Sequence, residues 1–411
     1  MVHDPGQRPP KGGDDGLFPD GIRTDASVSS ELESPFAFLD RFDDAAFARV
    51  RSLMNSWFAD YPAEHQHELR RRLGSKRDHE FRSAWFELYL HALHRALEWA
   101  AEVHPDLPDT ESHPDFRLRR GASVMLLEAT AIGDGMDSGR AKRRAQVTDS
   151  VEAIASPDFG LILSIEQEGA ELPRMGYVRK RVAQWLATLD WEHERPLAEK
   201  NANHELLPQH LDKADDWRFS FRAWPRMQAH RGERAPTVVA GPSDGGVFDH
   251  GGRLKHALEK KAKKYGATAE PIVIAVALSG MAIGREDVAT ALFGPTIGVA
   301  QPDGNVRTSD RRGDGLWSSS GSPRNTQIAG VLVFGEDLQP WSITRQSPEL
   351  WLHPEPDTPI PEVPWDQVRL IGAAVVHKRG TFDPSGLFDL PGWPDTRPHG
   401  DWPGNPFEEQ P

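Results

Sequence analysis

Two acids stand at a spacing that could do chemistry. Asp115 lies in His113-Pro114-Asp115-Phe116, and Glu128 lies in Leu126-Leu127-Glu128-Ala129-Thr130. Residues 114–119 and 123–130 read as short extended segments joined across Arg120, Gly121 and Ala122. If Gly121 and Ala122 form a two-residue turn, paired positions sum to 121 + 122 = 243, so Asp115 faces Glu128 across the hairpin. Their Cβ atoms then lie roughly 5 Å apart. Two carboxylates at that distance repel by about 3–4 kcal/mol at an effective dielectric near 20, so the hairpin gains nothing from them unadorned. A divalent cation reverses the sign, and magnesium or manganese held there could activate water and neutralise charge building on a phosphate. The structural alternative is a solvated sheet face on which Arg117 and Arg119 pair locally with the acids. A one-residue slip in register would also turn the acids to opposite faces.

The elements that must position this pair follow from periodicity. Helices are predicted over 44–58, over 63–73 with Gly74 as its stop, and over 78–102. In the last, Phe81, Trp85, Leu88, Ala92, Ala96 and Trp99 form one apolar row and Phe86, Leu90, Leu93 and Leu97 a second, which predicts packing on two sides. Between the rows Ser83, Glu87, His91, His94 and Glu98 share a polar face, readable as a narrow solvated strip or as a functional one. Further on come a strand over 158–167, a helix over 173–189, an alternating strand over 217–224 and a Gly/Pro-rich loop over 234–249. Leu254, Leu258, Ala262 and Tyr265 mark a helix ended by Gly266. It feeds the apolar run 271–278, which has the composition of a strand buried on both faces. A short helix over 286–293, a loop over 301–325 and late strands over 328–334 and 368–376 complete the series. The order implies an α/β fold with a mixed sheet flanked by helices, extra N-terminal helices and extra C-terminal strands.

A helix with a glutamate, then Pro-Asp, then Glu-X-X on the next strand resembles the PD-(D/E)XK superfamily of restriction-type nucleases. Glu87 matches its helical glutamate, Asp115 its motif aspartate and Glu128 its motif acid. The segments Phe86 to Leu90, Pro114 to Phe116, Leu127 to Thr130, Lys261 to Gly266 and Ala291 to Gly294 are similar to those of uncharacterised bacterial proteins with a restriction-endonuclease-like core. The resemblance spans about residues 65–355. It implies a metal-dependent nuclease in which Asp115 and Glu128 hold magnesium or manganese. Glu87 would orient a metal-bound water or act as an outer ligand, and the partner would be nucleic acid, DNA first.

One position departs from the pattern. The superfamily places a lysine two residues after the acid, where its ammonium orients water and stabilises the charged transition state. Here that residue is Thr130, whose hydroxyl can hydrogen-bond the nucleophile but carries no charge. The nearest downstream substitute is Lys142, with Arg140 and Arg143 as competitors. Lys260, Lys261, Lys263 and Lys264 flank the helix before the central strand, where they read first as a solvated face and second as phosphate contacts. His104 and His113 lie nearest the proposed site and read as satisfied loop residues. Two further readings stay open: the fold without catalysis, as a DNA- or protein-binding component of a bacterial assembly, and a carboxylate-paired hydrolase of another substrate.

Composition bounds these readings. The chain has 411 residues, no cysteine, and 48 basic against 62 acidic residues, a net charge of −14. That balance argues against non-specific coating of nucleic acid and excludes disulfides, thiolate zinc sites and cysteine nucleophiles. Phosphate-binding GxxxxGK[ST], dinucleotide-binding GxGxxG and nucleophile-elbow GxSxG motifs are missing, and His204-Glu205 with His210 has the wrong spacing for a zinc protease helix. No apolar run of membrane-spanning length and no signal-peptide pattern occurs, so a cytoplasmic location is expected. The expected organisation is a disordered tail over 1–34, one domain with insertions over 35–379 and a Pro/Asp-rich tail over 380–411. The tails offer a protein partner Phe388, Trp393, Trp402 and Phe407, which could equally dock back on the core.

Overall fold

The computed structural model describes residues 16–388 apart from positions 28, 30–32, 109–111, 133–137, 155, 201–205, 229–230, 233–237, 241–249, 267, 279–282, 301–305, 312–313, 320–321, 336–337 and 373. The chain divides into two compact units. One is built from Ser34–Asp134 and Asp249–Pro394 with the N-terminal segment through Ala26, and the other mainly from Gly135–Phe248. Residues 135–248 are therefore inserted between two stretches of the first unit.

The first unit opens with helices α1 (Pro35–Arg41), α2 (Ala45–Ala59), α3 (Ala63–Leu73) and α4 (Asp78–Ala96). Strands β1 (Ala100–Val103), β2 (Phe116–Arg120) and β3 (Ser123–Ile132) follow. The inserted unit holds α5 (Ser138–Glu152), β4 (Phe159–Gln167), α6 (Met175–Leu186), α7 (Trp191–Lys200), β5 (Gln209–Ala214), β6 (Trp217–Pro225) and β7 (Val238–Ala240). The first unit resumes with α8 (His250–Ala262), β8 (Ile272–Leu278) and α9 (Arg285–Phe293). Then come the short pairs β9 (Thr296–Ala300) with β10 (Val306–Arg311) and β11 (Ser318–Ser319) with β12 (Ser322–Pro323). The last elements are β13 (Ile328–Phe334), β14 (Glu349–Leu352), β15 (Asp366–Ile371), β16 (Ala374–Lys378) and α10 (Pro384–Leu387).

An eight-stranded mixed sheet in the order β1-β2-β3-β8-β13-β14-β15-β16 organises the first unit. Its centre is parallel, β3 beside β8 and β8 beside β13, with antiparallel hairpins at both flanks. Every residue of β8 and β13 is buried, as the continuous apolar run of β8 requires. The two faces carry separate cores. Leu127, Met125 and Phe116 point into one, with α2 and α4, while Leu126, Ile272 and Ile274 point into the other, with Leu254 and Leu258 of α8 and Val288 and Leu292 of α9. Successive residues of β3 thus serve opposite layers, and a residue on β3 is assigned to a layer by its parity alone.

The inserted unit has its own core. Its sheet runs β5-β6-β4-β7, and the alternate residues Leu161, Leu163 and Ile165 of β4 and Phe219, Phe221 and Ala223 of β6 pack with Val147 and Val151 of α5 and Val178 and Val182 of α6. Arg181 of α6 makes a bidentate contact with Asp212 of β5, and Arg144 of α5 pairs with Glu168 at 2.6 Å. Among the described residues no helix is long and apolar enough to cross a membrane.

Three expectations are revised. The helix predicted over 78–102 ends at Ala96, because Glu98 adopts φ +63° and closes it as a left-handed cap; Trp99 then turns into β1. The late strand expected over 368–376 is a hairpin, β15 and β16, turned at Gly372 with φ +61°. The N-terminal segment from residue 16, expected within a disordered tail, is anchored: Leu17 and Phe18 are buried and the Phe18 amide donates to Asn55. At the other end the Phe388 ring packs at a tilt against Trp57 and Tyr89, while Trp393, Trp402 and Phe407 lie outside the described residues.

Candidate active site

The hairpin register agrees with the spacing argument. Phe116 pairs with Leu127 and Arg120 with Ser123, so positions sum to 243 throughout. Gly121 takes φ +59°, with Ala122 as the second turn residue. Asp115 is the first residue beyond β2, and its Oδ2 accepts a 2.6 Å hydrogen bond from the Ala129 amide, one residue past Glu128. The Asp115 carbonyl accepts from the His104 amide at 3.0 Å, which fixes the strand end on its other edge.

Glu128 shares parity with Leu126 and so faces the layer that holds α8. It is 1% exposed, a burial that no carboxylate tolerates without partners. Three side chains from the end of α8 supply them. Lys261 donates to Oε1 at 2.5 Å, Lys264 donates to the same oxygen at 2.8 Å, and the Tyr265 hydroxyl donates to Oε2. Lys261 also donates to the Ala129 carbonyl at 2.9 Å. The local sequence explains the delivery. Leu254, Leu258 and Ala262 are the buried row of α8, continued by Tyr265 just past its end, and Lys261 sits at the border of that row, with Lys264 three residues on in the closing turn. Gln327 holds that turn by donating to the carbonyls of Ala262 and Tyr265 at 3.3 Å.

On the opposite face α4 presents Glu87, 4% exposed and equally well partnered. Tyr61 donates to its Oε1 and Arg72 to its Oε2, each at 2.5 Å, and His104 Nε2 lies 3.7 Å from Oε1. Tyr61 follows α2 and Arg72 ends α3, so the N-terminal helices, read in the sequence as additions, deliver both partners. The polar face, readable in the sequence as a solvated strip or a functional one, is solvated at its ends, where Ser83 and Glu98 are exposed, and buried in its middle: His91 is 1% and His94 0% exposed, with His94 Nδ1 bonded to the Leu90 carbonyl. Burial pushes both imidazoles down to about 4.

Asp115 lies at the strand end and feels both acids. Burial, with the nearby charge of Glu128 and a smaller contribution from Glu87, pushes its carboxyl up to about 7. Burial would raise Glu128 as well, but Lys261, reinforced by the hydrogen bonds from Lys264 and Tyr265, holds it below the ordinary carboxylate range. The pair therefore divides its charge: Glu128 is anionic and Asp115 keeps the proton near neutrality. Burial lowers His104, leaving it neutral at physiological pH.

The structure thus gathers Asp115 and Glu128, sets Glu87 within electrostatic range of Asp115, and places Thr130 two residues beyond Glu128 with the same parity. Lys142, proposed as the source of positive charge, belongs to α5 of the inserted unit, and its side chain lies outside the described residues. Among the described residues the cations that meet Glu128 are Lys261 and Lys264, from the run expected to be a solvated helix face. His113 is exposed and bonds the Pro105 carbonyl. Among the described residues no group of three or more His, Asp or Glu side chains converges as a metal cluster. The hard oxygens available together are those of Asp115, Glu128 and the Ala129 carbonyl.

No family model, curated protein or solved structure matches the chain.

Proposed function

We propose that this chain is a metal-dependent phosphodiesterase acting on nucleic acid, with a restriction-endonuclease-like core of the PD-(D/E)XK kind. The reading rests on one observation. The Lys261 ammonium touches both Glu128 and the Ala129 carbonyl, beside the strand position where the superfamily carries its lysine and this chain carries Thr130. The charge the motif lacks is supplied from α8.

The residues present fit a hard divalent cation. Two carboxylates and a carbonyl make an oxygen donor set suited to magnesium or manganese, and Lys261 already stands as a cation against two members of that set. Such an ion supplies Lewis acidity toward a phosphate oxygen and lowers the pKa of water. The chain's own groups have separate parts. Asp115 and Glu128 would hold the cation, Lys261 would stabilise negative charge at the reacting phosphate, Thr130 would hydrogen-bond the nucleophile, and Glu87 would orient water on the Asp115 side. Lys264 and Tyr265 hold Glu128 in place.

A second reading is supported by the completeness of the cluster. Both Glu128 oxygens already have donors, as a structural ion group requires, which suits a nuclease-fold protein that binds DNA or a protein partner without cutting. Incubation of single- and double-stranded DNA and RNA with magnesium or manganese separates the two. Cleavage by the wild type that is lost in Asp115→Ala and Glu128→Ala supports the enzyme; binding without cleavage supports the binding component.

A further inference from the structure

Far along the sheet from β3, the connection between the parallel neighbours β14 and β15 crosses over as a proline-rich strap, residues 353–365. Beneath it lies a cavity of about 430 Å³ lined by prolines of the strap and by Leu350, Leu352, Ile360 and Val363. That volume is within the range of small-molecule sites. Apart from His353, whose ring nitrogens are engaged by the Arg324 carbonyl and the Glu355 amide, its polar side chains come from one strand face. Leu350 pairs with Gln367, and Gln367 with Lys378, so Gln367 and Arg369, which line the cavity, and Lys378, which does not, lie on one sheet face.

Among the described residues, neither the Arg369 guanidinium, nor the Gln367 amide, nor the Lys378 ammonium has a hydrogen-bond or ion-pair partner. The strap's acids Glu355, Asp357 and Glu362 are exposed and do not line the cavity. Arg369, which lines the cavity, and Lys378, exposed beside it on the same sheet face, have no carboxylate partner among the described residues, so the polar edge of this apolar cavity is positive and complements an anion. The apolar surface also continues outward, with Ile371 62% exposed and Val376, paired with Arg369, 42% exposed.

We infer that this cavity binds a small amphiphile with an apolar body and a single carboxylate, the body under the strap and the carboxylate on Arg369 and Gln367. The guanidinium offers two parallel N–H donors to a carboxylate, and the amide a third. The prolines confine the strap's backbone, which lowers the entropy cost of closing on a ligand.

The test uses the full-length chain, 8-anilinonaphthalene-1-sulfonate as a fluorescent probe, and decanoate and decanol as competitors. The expected result is saturable probe binding displaced by decanoate at least tenfold more effectively than by decanol. Arg369→Glu should weaken it at least tenfold with unchanged circular dichroism, and Ile360→Trp, which fills the cavity, should abolish it. Asp115→Ala should bind as the wild type does, so this site is scored independently of the nuclease reading. Absence of saturable binding, equal displacement by the two competitors, or binding unaffected by Arg369→Glu and Ile360→Trp would overturn the inference.

Discussion

Lys261 of α8 and Glu128 of β3, 133 positions apart in sequence, are joined at 2.5 Å. The same ammonium reaches the Ala129 carbonyl, so a cation that could have been built into β3 at position 130 is brought in by the helix that follows the insertion. Glu128 is consequently a shared anchor for strand and helix. Replacing it by glutamine would leave Lys261 and Lys264 facing a neutral group. The expected cost is roughly 2–3 kcal/mol, below that of a fully buried pair because both ammoniums reach solvent. Urea denaturation of Glu128→Gln at pH 7 measures it.

Arg72 and Glu87 form the equivalent contact on the other face, tying the end of α3 to α4. Arg72→Met would leave the buried Glu87 carboxylate with Tyr61 as its remaining close donor and destabilise the fold by about 2–3 kcal/mol. Tyr61→Phe, which removes one hydrogen bond to a charged group, should cost about 1.5 kcal/mol. Thermal denaturation of both variants orders them, with the arginine the more costly.

Asp115 predicts a pH dependence of defined sign. Its folded pKa, about 7, lies above its ordinary value, so between about pH 4 and 7 the folded state holds a proton that the unfolded state has released. Its contribution to stability is complete below pH 4 and is lost as pH rises through 7. Asp115→Asn keeps an oxygen to accept from the Ala129 amide, so it should match the wild type at pH 4 and exceed it at pH 8. Chemical denaturation at both values checks this; equal stabilities at pH 8 would contradict the assignment of the proton to Asp115.

His91 and His94 act in the opposite direction. Their folded pKa values of about 4 lie below the ordinary value near 6.5, so they favour the folded state above pH 6.5 and that contribution is lost as pH falls toward 4. In the Asp115→Asn background, where the carboxylate's opposing slope is gone, stability should fall steadily between pH 6.5 and 4.

Much of this arrangement is legible in the sequence. The hairpin register follows from Gly121-Ala122 and the parity of Glu128 from its alternation with Leu126 and Leu127. What composition and local spacing do not show is which side of a helix meets which strand. Lys261, Lys264 and Tyr265 carry the right spacing, but only the placement of α8 on the Glu128 face, as the crossover into parallel β8, makes them partners of an acid. A parallel neighbour reached through a helix requires that helix to cover one sheet face. That requirement is the signal in the sequence that points to α8 as a source of cations for the Glu128 face; Lys142, the source expected from the sequence, has its side chain outside the described residues. The burial of Glu87, His91 and His94 was hidden for a different reason. Their face of α4 is covered by Tyr61, Phe116 and Trp365, from elements remote in sequence.

The most direct measurement is the metal-dependent cleavage rate of wild type, Lys261→Ala and the double variant Lys261→Ala with Thr130→Lys. If α8 supplies the charge that β3 lacks, Lys261→Ala loses about 100-fold or more and Thr130→Lys restores part of the loss by placing an ammonium on the strand face beside Glu128. Wild-type cleavage by Lys261→Ala would contradict the account.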